Sequence, residues 1–583
     1  MCGIFSLLNN IKYSPEVIRM YFLEGKKRGP ETSTLKHIST HEIWLGFHRL
    51  AINGCNDINA EQPFNINNKW LICNGEIYNH KQLYKYLGVS PKSSSDCEVI
   101  LHCYEKYGIE YTMKILDGVF AFILLDLDEN KIFAARDLFG VRPLFLNTFQ
   151  QINDKESCIS YAFASELKSI AGFDTFTNNI EQVKPGSLLT FNINNDHIVS
   201  LESTKRVNQI QHFCNFTENK SYDDILKNVY HHLEQAVIKR VENTEREVAC
   251  LLSGGLDSSL IAALVKRHYK GDLHTWSIGM EGSEDLKYAQ IVADHIGSIH
   301  HSIVVSEEEF LSYIPEVIKT IESYDTTTVR ASVGNWLISK YIRENSEAKV
   351  IFNGDGSDEV MGGYLYFYMA PNALDFDKEC IRLLEDIHYY DVLRSDRSIS
   401  SHGLEARTPF LDRQFVANYL SISPDLRHHR LNNQCEKYIM RKATELYGDK
   451  LLPNEVLWRT KEAFSDGVSK QTKSWYEIIQ EHIEKTEYNH LSDRVKTNIL
   501  ENMNPYRFNR PKTLEQLYYR EVFSKHYKSA SCQKLIPYFW MPKFVEASDA
   551  SARVLDVYKL TQNIKINNEI ENNVNIKTEL LMK

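Results

Sequence analysis

Residues 248–260 read Val-Ala-Cys-Leu-Leu-Ser-Gly-Gly-Leu-Asp-Ser-Ser-Leu, and this stretch decides the fold of the second half of the chain. Its first five residues are apolar, which is typical of a strand buried on both faces of a parallel sheet. The strand ends at Ser253, and helix-compatible sequence follows at 260–266. Because Gly254 and Gly255 carry no side chain, an anion can approach the backbone and the helix N-terminus. The stretch therefore predicts a phosphate-binding loop.

The polar residues of this loop support that interpretation. Ser253, Ser258 and Ser259 offer hydroxyl donors for phosphate oxygens. Asp257 would repel a bare phosphate but suits one that carries Mg²⁺. A Gly-Gly pair alone is often only a turn. The full motif Ser-Gly-Gly-Leu-Asp-Ser-Ser resembles the pyrophosphate loop of ATP pyrophosphatases, which adenylate a substrate with ATP, and it lacks the order of a Walker A loop.

The composition is that of an ordinary globular chain. Its 583 residues, 43% of them hydrophobic, suffice for two or more domains. The net charge of −10, without a basic stripe, argues against a nucleic-acid partner. The sequence has neither a membrane span nor a signal-peptide pattern, so we expect a cytoplasmic protein with no membrane partner. Eleven cysteines without CxxC pairs suit a reducing compartment.

The N-terminus offers a candidate nucleophile. If Met1 is removed, the α-amino group of Cys2, with a reference pKa of about 7.7–8.0, lies beside the thiol as a built-in base. The alternative is that Cys2 is only a small hydrophobic residue at the start of a strand. The residue alone does not decide between these two interpretations.

Apolar runs in the first 200 residues predict a mostly antiparallel β domain. These runs are 46–52, 70–73, 116–122 and 132–137. Arg49 lies within the first run, where an unpaired guanidinium would be costly and a carboxylate ligand would satisfy it. Asn74 and Gly75 follow the second run and by themselves indicate only a hairpin turn. Asp96 opens an amphipathic segment, where a helix cap is the simplest interpretation.

Taken together, these segments resemble the glutamine amidotransferase domain with an N-terminal cysteine nucleophile. The matching motifs, in order, are MCGIFSL, GFHRLAI, CNGEIYN, SDCEVI, DGVFAF, AARDLFGVRPLF and FASELKSI. The resemblance implies hydrolysis of glutamine to glutamate and ammonia in a four-layer αββα Ntn-hydrolase sandwich. It implies these roles: Cys2 as nucleophile, Asn74 and Gly75 as oxyanion hole, and Arg49, Glu76 and Asp96 as ligands of the glutamine α-carboxylate and α-amino groups.

Two details qualify this domain. An Asn amide and a Gly N–H can both aim at a developing oxyanion, and one such donor is worth roughly 2.7–4 kcal/mol. The family usually shows His-Arg-Gly-Pro-Asp, whereas residues 27–31 here are Lys-Arg-Gly-Pro-Glu. The replacements Lys27 and Glu31 bear on glutaminase efficiency and on how the entrance loop closes.

The chain divides into two predicted domains and a tail. These are a glutaminase domain at 1–205, an ATP-pyrophosphatase domain at 221–560 and a disordered tail at 561–583. The polar segment 207–220 is the predicted linker, and Ser221 caps the helix that follows it. Further apolar runs at 274–278, 302–305 and 350–352 alternate with helix-like sequence, which is typical of a parallel α/β sheet.

The last of these strands carries a second polar loop, Asn-Gly-Asp-Gly-Ser-Asp-Glu at 353–359. Ligands of open parallel sheets bind beyond the carboxyl ends of the strands, where both loops would meet. A calcium-loop interpretation fails because the twelve-residue frame and its final Glu are missing. We therefore expect Asp257 and Asp358 to converge on Mg²⁺ and pyrophosphate.

The combination of both halves resembles the glutamine-hydrolysing asparagine synthetases. The supporting segments are SIGMEGSEDLKYAQ, ESYDTTTVRAS, FNGDGSDEVMGGYLYF, RSDRSISSHGLEARTPFLD, KYIMRKA, RTKEAFSDGV, PYFWMPKF and DASAR. Such enzymes convert L-aspartate and ATP to β-aspartyl-AMP and pyrophosphate, and ammonia from L-glutamine then displaces AMP. Dimers occur among them. A same-fold alternative is an amide-forming or ammonia-dependent ligase that uses another carboxylate.

The resemblance assigns further residues of the second domain. The ATP-binding set is Leu252, Ser253, Gly254, Gly255, Asp257, Ser258, Ile278, Asn353 and Gly354. Thr327 and Arg330 would hold aspartate, and Lys461 would neutralise charge at the α-phosphate. Apart from the family, a lysine beside Trp458 and the apolar residues 463–464 would be desolvated and would favour an anion. The alternative is a surface lysine.

Asp355 departs from the family, in which many members have Glu as the candidate base that deprotonates ammonia. The shorter side chain moves the carboxylate by about 1.5 Å, and errors of ~1 Å can cost about a hundredfold in rate. Asn353 also replaces a common Ser. Glu405 and Arg407 are interpreted as a buried structural ion pair and not as a catalytic pair.

Overall fold

The computed structural model describes residues 1–153, 157–174, 176–210, 213, 221–461, 467–469, 473–556 and 558. The predicted tail at 561–583 and much of the predicted linker lie outside these residues. No helix in the part of the chain that the structure describes is long and apolar enough to span a membrane.

Two antiparallel six-stranded sheets form the N-terminal unit. The strand orders are β10-β8-β9-β1-β3-β2 and β12-β11-β7-β6-β5-β4. The strands are β1 (Gly3–Leu8), β2 (Thr32–Ile38), β3 (Ile43–Arg49), β4 (Phe64–Ile66), β5 (Lys69–Ile77), β6 (Gly118–Asp126), β7 (Lys131–Arg136), β8 (Phe145–Ile152), β9 (Ser157–Ala164), β10 (Asn179–Gln182), β11 (Ser187–Ile193) and β12 (Val199–Arg206).

The sheets pack face to face because their alternating apolar residues point at each other. One buried cluster joins Ile4 and Leu45 of the first sheet to Ile72 and Ile123 of the second. The helices of this unit are α1 (Pro15–Leu23), α2 (His80–Leu87), α3 (Val99–Tyr107) and α4 (Ile109–Ile115). Helix α1 packs on the first sheet, and helices α2 to α4 pack on the second sheet through another cluster. The layers therefore run helix, sheet, sheet, helix.

The sequence interpretation of two short segments needs correction. Asn74 and Gly75 lie inside the continuous strand β5, opposite Ala121 and Phe120, and not in a hairpin turn. Asp96 begins a 3₁₀ turn, and the preceding Ser95 is the residue whose side chain caps that turn. The Asp96 carboxylate instead accepts the backbone N–H of Ile77 at 2.6 Å. Both corrections bring predicted site residues to the end of β5.

A five-stranded parallel sheet organises the C-terminal unit. Its strand order is β15-β14-β13-β16-β17, and the strands are β13 (Val248–Leu251), β14 (His274–Gly279), β15 (Ile299–Val304), β16 (Val350–Phe352) and β17 (Glu405–Arg407). The chain order reverses between β13 and β16, which pair directly. The predicted phosphate loop and the loop at 353–359 follow these two strands, so both lie at the topological switch point.

Helices surround this sheet. They are α5 (Tyr222–Glu242), α6 (Leu256–His268), α7 (Glu284–Ile296), α8 (Glu307–Ser312), α9 (Ile314–Ile321), α10 (Thr326–Asn345), α11 (Ser357–Met361), α12 (Ala373–Asp386), α13 (Asp391–Ser400), α14 (Arg413–Ser421), α15 (Pro424–Arg427), α16 (Tyr438–Tyr447), α17 (Asn454–Leu457), α18 (Trp475–Thr486), α19 (Asp493–Glu501) and α20 (Leu514–His526). The predicted cap of α5 is confirmed, because the Ser221 side chain accepts the backbone N–H of Asp224.

Candidate functional site

Cys2 lies at the start of β1, with Met1 buried beside it. The Met1 amino group donates to the Leu404 carbonyl at 3.0 Å, and its sulfur accepts from Arg28 and Arg142. The Cys2 thiol donates to the Leu50 carbonyl, and burial raises its pKa to about 12. With Met1 attached, the nitrogen of Cys2 is an amide and cannot act as a base. The built-in base of the sequence prediction therefore needs the removal of Met1.

The predicted oxyanion donors are positioned by strand β5. Asn74 is fully buried, and neither polar atom of its side-chain amide has a hydrogen-bond partner. Buried polar groups are nearly always paired, so an unpaired amide calls for an explanation such as a ligand. At Gly75, a Cβ atom would lie 2.5 Å from the Val119 carbonyl oxygen, so only glycine fits against β6. The strand thus presents a free amide beside a residue that must remain glycine.

Two carboxylates adjoin this strand end. Glu76 accepts from Asn53 at 3.0 Å and from Asn243 at 2.7 Å, and Arg407 lies 3.3 Å from it. Asp96 lies near the same Asn243 amide, at 3.4 Å. Burial, followed by repulsion from Asp96, raises the pKa of Glu76 well above its usual range. Two neighbouring buried acids of this kind suit the α-ammonium group of an amino acid.

Arg49 ends strand β3 and is largely buried. Its guanidinium donates to Glu61 at 2.9 Å and to the Gly54 carbonyl at 2.6 Å. These two acceptors satisfy part of the fork, and a guanidinium has five N–H donors in total. Arg49 thus already pairs with a carboxylate of the chain, Glu61, at the end of β3.

The two replacements in the entrance loop have different surroundings. Glu31 accepts the backbone N–H of Ala51 at 2.7 Å and pairs with Arg246 of the C-terminal unit. Lys27 lies next to Gly403. The Lys27 carbonyl oxygen is 3.8 Å from the position that a Cβ atom would take on Gly403. Arg28, which is common to both patterns, pairs with Asp396 at 2.7 Å. The loop is thus fastened to the C-terminal unit by ion pairs.

A cavity of about 210 Å³ lies beyond the carboxyl ends of β13, β14 and β16. Most of the residues predicted for nucleotide and aspartate line it: Leu252, Ser253, Gly255, Asp257, Ser258, Ile278, Thr327, Asn353, Gly354, Asp355, Asp358 and Lys461. The Thr327 hydroxyl is buried without a partner. The predicted meeting of the two loops at one edge of the sheet is therefore observed.

Close packing of the loops explains their glycines. Gly254 has a φ of +72°, and a Cβ there would lie 2.4 Å from the Cβ of Tyr288, so Gly254 packs outward and does not line the cavity. A Cβ on Gly354 would lie 2.9 Å from the backbone nitrogen of Ser258. Inside the phosphate loop, the Ser253 N–H donates to the Ser258 hydroxyl at 3.1 Å. Helix α6 begins directly after the loop, so its N-terminus faces the cavity.

Two lysines bind the predicted metal ligands. The Lys437 ammonium lies 2.6 Å from both Asp257 and Asp358, and Lys461 lies 2.5 Å from Asp358. Burial alone would lower the pKa of Lys461, but the two carboxylates outweigh it and raise that pKa. For Asp358 the lysines outweigh burial in the opposite direction and lower its pKa. One cation can thus reach both carboxylates, which together with phosphate oxygens is the oxygen donor set that Mg²⁺ prefers.

Asp355 has one occupied and one free carboxylate oxygen. Its Oδ1 accepts from Arg394 at 2.9 Å, and its Oδ2 is buried without a partner at the cavity. The Asn353 side chain donates to Ser395 at 2.7 Å and accepts the backbone N–H of Asp355 at 3.3 Å. Asp355 therefore offers a proton acceptor to the cavity, whereas the polar atoms of the Asn353 side chain are bound within the chain.

Arg330, which the resemblance assigns to aspartate, is bound by two carboxylates of the chain itself. Its guanidinium forms paired hydrogen bonds with Glu515 at 2.6 and 2.8 Å and with Asp549 at 2.7 and 2.8 Å. It does not line the cavity. Two bidentate carboxylates use nearly all donors of a guanidinium, so Arg330 supports helix α10 from behind the cavity.

Several functional neighbours were missed at the level of sequence. Lys437 and Arg394 lie within quoted segments, KYIMRKA and RSDRSISSHG, but no local signal distinguishes them from structural cations. Asn53 and Asn243 belong to no motif. The predicted ion pair of Glu405 and Arg407 is confirmed at 2.7 Å, and both residues are buried. That Arg407 also lies 3.3 Å from Glu76 follows from no pattern in the sequence.

Two different family models match the N-terminal and the C-terminal parts of the chain. The family model "Asparagine synthase" matches residues 228–375 and 368–538, and the model "Glutamine amidotransferase domain" matches 1–224. The glutamine-hydrolysing asparagine synthetase of Gallus gallus is 40% identical over 580 residues, covering 96% of this chain and 99% of its own. The corresponding protein of Homo sapiens is 39% identical over 584 residues with the same coverage.

Solved structures add little. An NH3-dependent NAD synthetase from Campylobacter jejuni is 20% identical and covers 24% of this chain and 61% of its own, with a TM-score of 0.18. A score of this size supports no argument about the present chain.

Proposed function

The chain belongs to the family of glutamine-hydrolysing asparagine synthetases, and on that premise we propose how its two sites share one reaction. The N-terminal site hydrolyses L-glutamine to glutamate and ammonia. The C-terminal site adenylates the β-carboxylate of L-aspartate with ATP, and ammonia displaces AMP to give asparagine. The observation that carries this proposal is the cavity at the switch point, which joins the phosphate loop, Thr327 and the free oxygen of Asp355.

In the N-terminal site, Cys2 freed of Met1 attacks the glutamine amide, and its α-amino group accepts the thiol proton. The Asn74 amide and the Gly75 N–H donate to the oxyanion that develops. Arg49 binds the α-carboxylate of glutamine, and Glu76 with Asp96 binds the α-ammonium group. The support is the unpaired Asn74 amide and the two adjacent acids.

In the C-terminal site, the loop from Ser253 to Ser258 and the N-terminus of α6 bind the phosphates of ATP. Leu252 and Ile278 line the AMP moiety, and the Thr327 hydroxyl binds aspartate. Lys461 neutralises the α-phosphate. Asp355 Oδ2 accepts a proton from the attacking ammonia.

Asp257 and Asp358 would hold Mg²⁺, and that ion would neutralise the leaving pyrophosphate. The site fits such an ion because the two carboxylates already share one ammonium group. Lys437 and Lys461 lie at the same carboxylates and would add positive charge for the phosphate oxygens.

The fold classes of the two units are part of the same proposal. The helix-sheet-sheet-helix layers support an Ntn-hydrolase sandwich, and the strand order with its glycine-rich loop supports an ATP-pyrophosphatase domain. A cytoplasmic location is supported by the cysteines of the described residues, all of which are free thiols. A homodimer is expected from the family and is tested by light scattering on the purified protein.

The experiment follows asparagine, AMP and pyrophosphate in mixtures of purified protein, aspartate, ATP and Mg²⁺ with either glutamine or ammonium. We expect Cys2→Ala to abolish synthesis from glutamine and to preserve synthesis from ammonium. Loss with both nitrogen sources would refute the division of labour. ADP in place of AMP would refute adenylation. Failure to amidate aspartate, with turnover of another carboxylate, would favour the alternative ligase.

A further inference from the structure

Asn243 connects the C-terminal unit to the candidate glutamine site. It follows helix α5 and is 5% exposed. Its side-chain Nδ2 donates to Glu76 Oε2 at 2.7 Å and lies 3.4 Å from Asp96 Oδ2. One neutral amide therefore bridges the two acids to which the proposed function assigns the α-ammonium group of glutamine.

The backbone of Asn243 is held in place from the other side. Its carbonyl accepts from Arg407 at 3.1 Å, and the same guanidinium nitrogen of Arg407 lies 3.3 Å from Glu76. Arg407 is fully buried and is also bound to Glu405 at 2.7 Å. Asn243 is thus fixed by a buried strand residue while its amide points at the acid pair.

The chemical identity of the side chain at this position matters. Two adjacent buried carboxylates repel each other, and a bridging donor fixes their separation. Arg407 already places one positive charge 3.3 Å from Glu76, and a second cation at residue 243 would leave the pair with little charge for an incoming ammonium group. An amide donates hydrogen bonds and leaves the negative charge in place.

We propose that Asn243 is a positioning residue of the glutamine site, so that residues of both units set the affinity for the α-amino end of glutamine. This inference rests on the proposed function of the N-terminal site. A helix-capping role does not explain the contacts, because the side chain is directed at Glu76 and Asp96 and not at the end of α5.

The first test uses Asn243→Ala, with Thr244→Ala as the matched control. Thr244 is the next residue. Within the described residues, its hydroxyl oxygen accepts one hydrogen bond, from the backbone N–H of Arg246. A hydrogen bond to a charged group is worth enough to raise the KM for glutamine about 10- to 100-fold. We expect that rise in Asn243→Ala, with kcat for glutamine hydrolysis within threefold of wild type. Ammonium-dependent synthesis and the control should both match wild type.

The second test uses Asn243→Asp, which keeps the shape and replaces the donor by a carboxylate. The residue 243 side chain contacts Glu76 and Asp96. Glu405, Arg407 and Arg142 act on the charge of Glu76, and Tyr78 acts on that of Arg407. A third acid makes ionisation of its neighbours harder, so the acidic limb of kcat/KM for glutamine should move to higher pH. A side chain that only fills space would leave this pH profile unchanged.

The outcomes separate this inference from the proposed function. If wild type hydrolyses no glutamine, the proposed function fails. If wild type is active and Asn243→Ala keeps its KM within twofold, this inference alone is wrong. If Asn243→Ala loses both activities, Asn243→Asp decides, because its shape is native. Loss of ammonium-dependent synthesis in that variant as well would show a structural role and overturn the proposal.

Discussion

Replacing Lys437 by Met tests how the charges of the nucleotide cavity are balanced. The Lys437 ammonium lies 2.6 Å from Asp257 and from Asp358, and the residue is 2% exposed. Removing one partner of a buried ion pair costs about 3–5 kcal/mol. Lys461 remains 2.5 Å from Asp358 but 3.8 Å from Asp257. We therefore expect a loss near the low end, about 3 kcal/mol.

The same variant should respond to Mg²⁺. With Lys437 removed, Asp257 and Asp358 lose one of the two ammonium groups that bind them, so a divalent cation competes better for them. Such a cation would stabilise the fold by about 2.7 kcal/mol at one hundred times its dissociation constant. In wild type the ammonium group competes for the same carboxylates. We thus expect Lys437→Met to unfold at a temperature roughly 5 °C below wild type in EDTA, and added Mg²⁺ to recover part of that difference.

The assay is thermal unfolding in EDTA and across a MgCl₂ titration. The matched control is Lys442→Met, because Lys442 is a half-exposed lysine of nearby helix α16 that pairs with Glu445. Surface pairs of this kind contribute about 0–1 kcal/mol, so the control should unfold as wild type does. The reasoning is refuted if Lys437→Met unfolds within 1 °C of wild type in EDTA. If Mg²⁺ stabilised wild type and Lys437→Met equally, the idea that Lys437 and Mg²⁺ compete for the same carboxylates would also be wrong.

Two further predictions concern Asp355 and His48. Asp355→Asn replaces the free oxygen at the cavity by an amide, so asparagine synthesis from either nitrogen source should fall about 10²- to 10⁴-fold while glutamine hydrolysis persists. Asparagine and glutamate formation measure the two activities, and a fall in asparagine synthesis below threefold would contradict Asp355 as the base. Burial lowers the pKa of His48 to about 4 from 6.5. Folding therefore favours the neutral imidazole of His48. The contribution of His48 to the free energy of unfolding is complete above pH 6.5 and falls by up to roughly 3 kcal/mol as the pH drops to 4. Urea unfolding from pH 7 to 4 checks this, and His48→Gln should show a shallower decline.

The sequence predicted those parts of the site that depend on local backbone rules. Gly254 needs a positive φ, and Gly354 lies where another backbone passes within 3 Å of a Cβ position. Such demands can be satisfied only by glycine, so they leave a readable motif. Alternating apolar runs gave the strands for the same reason.

The sequence could not predict how charges far apart in the chain are paired. Arg330 has neighbours suited to a ligand-binding role, yet Glu515 and Asp549, about two hundred residues later, occupy its guanidinium. The Asn74-Gly75 pair favours a turn by local preference, yet pairing with β6 keeps it in a strand. Tertiary contacts override local preference in both cases.

Strand β17 gives the two reaction centres a direct physical connection. The Arg407 carbonyl accepts the backbone N–H of Asn353 at 3.1 Å, and its side chain lies 3.3 Å from Glu76. The backbone of Arg407 thus contacts the nucleotide loop, while its guanidinium contacts the candidate glutamine site. Arg407 therefore contacts both candidate sites, the loop at 353–359 through its carbonyl and Glu76 through its guanidinium.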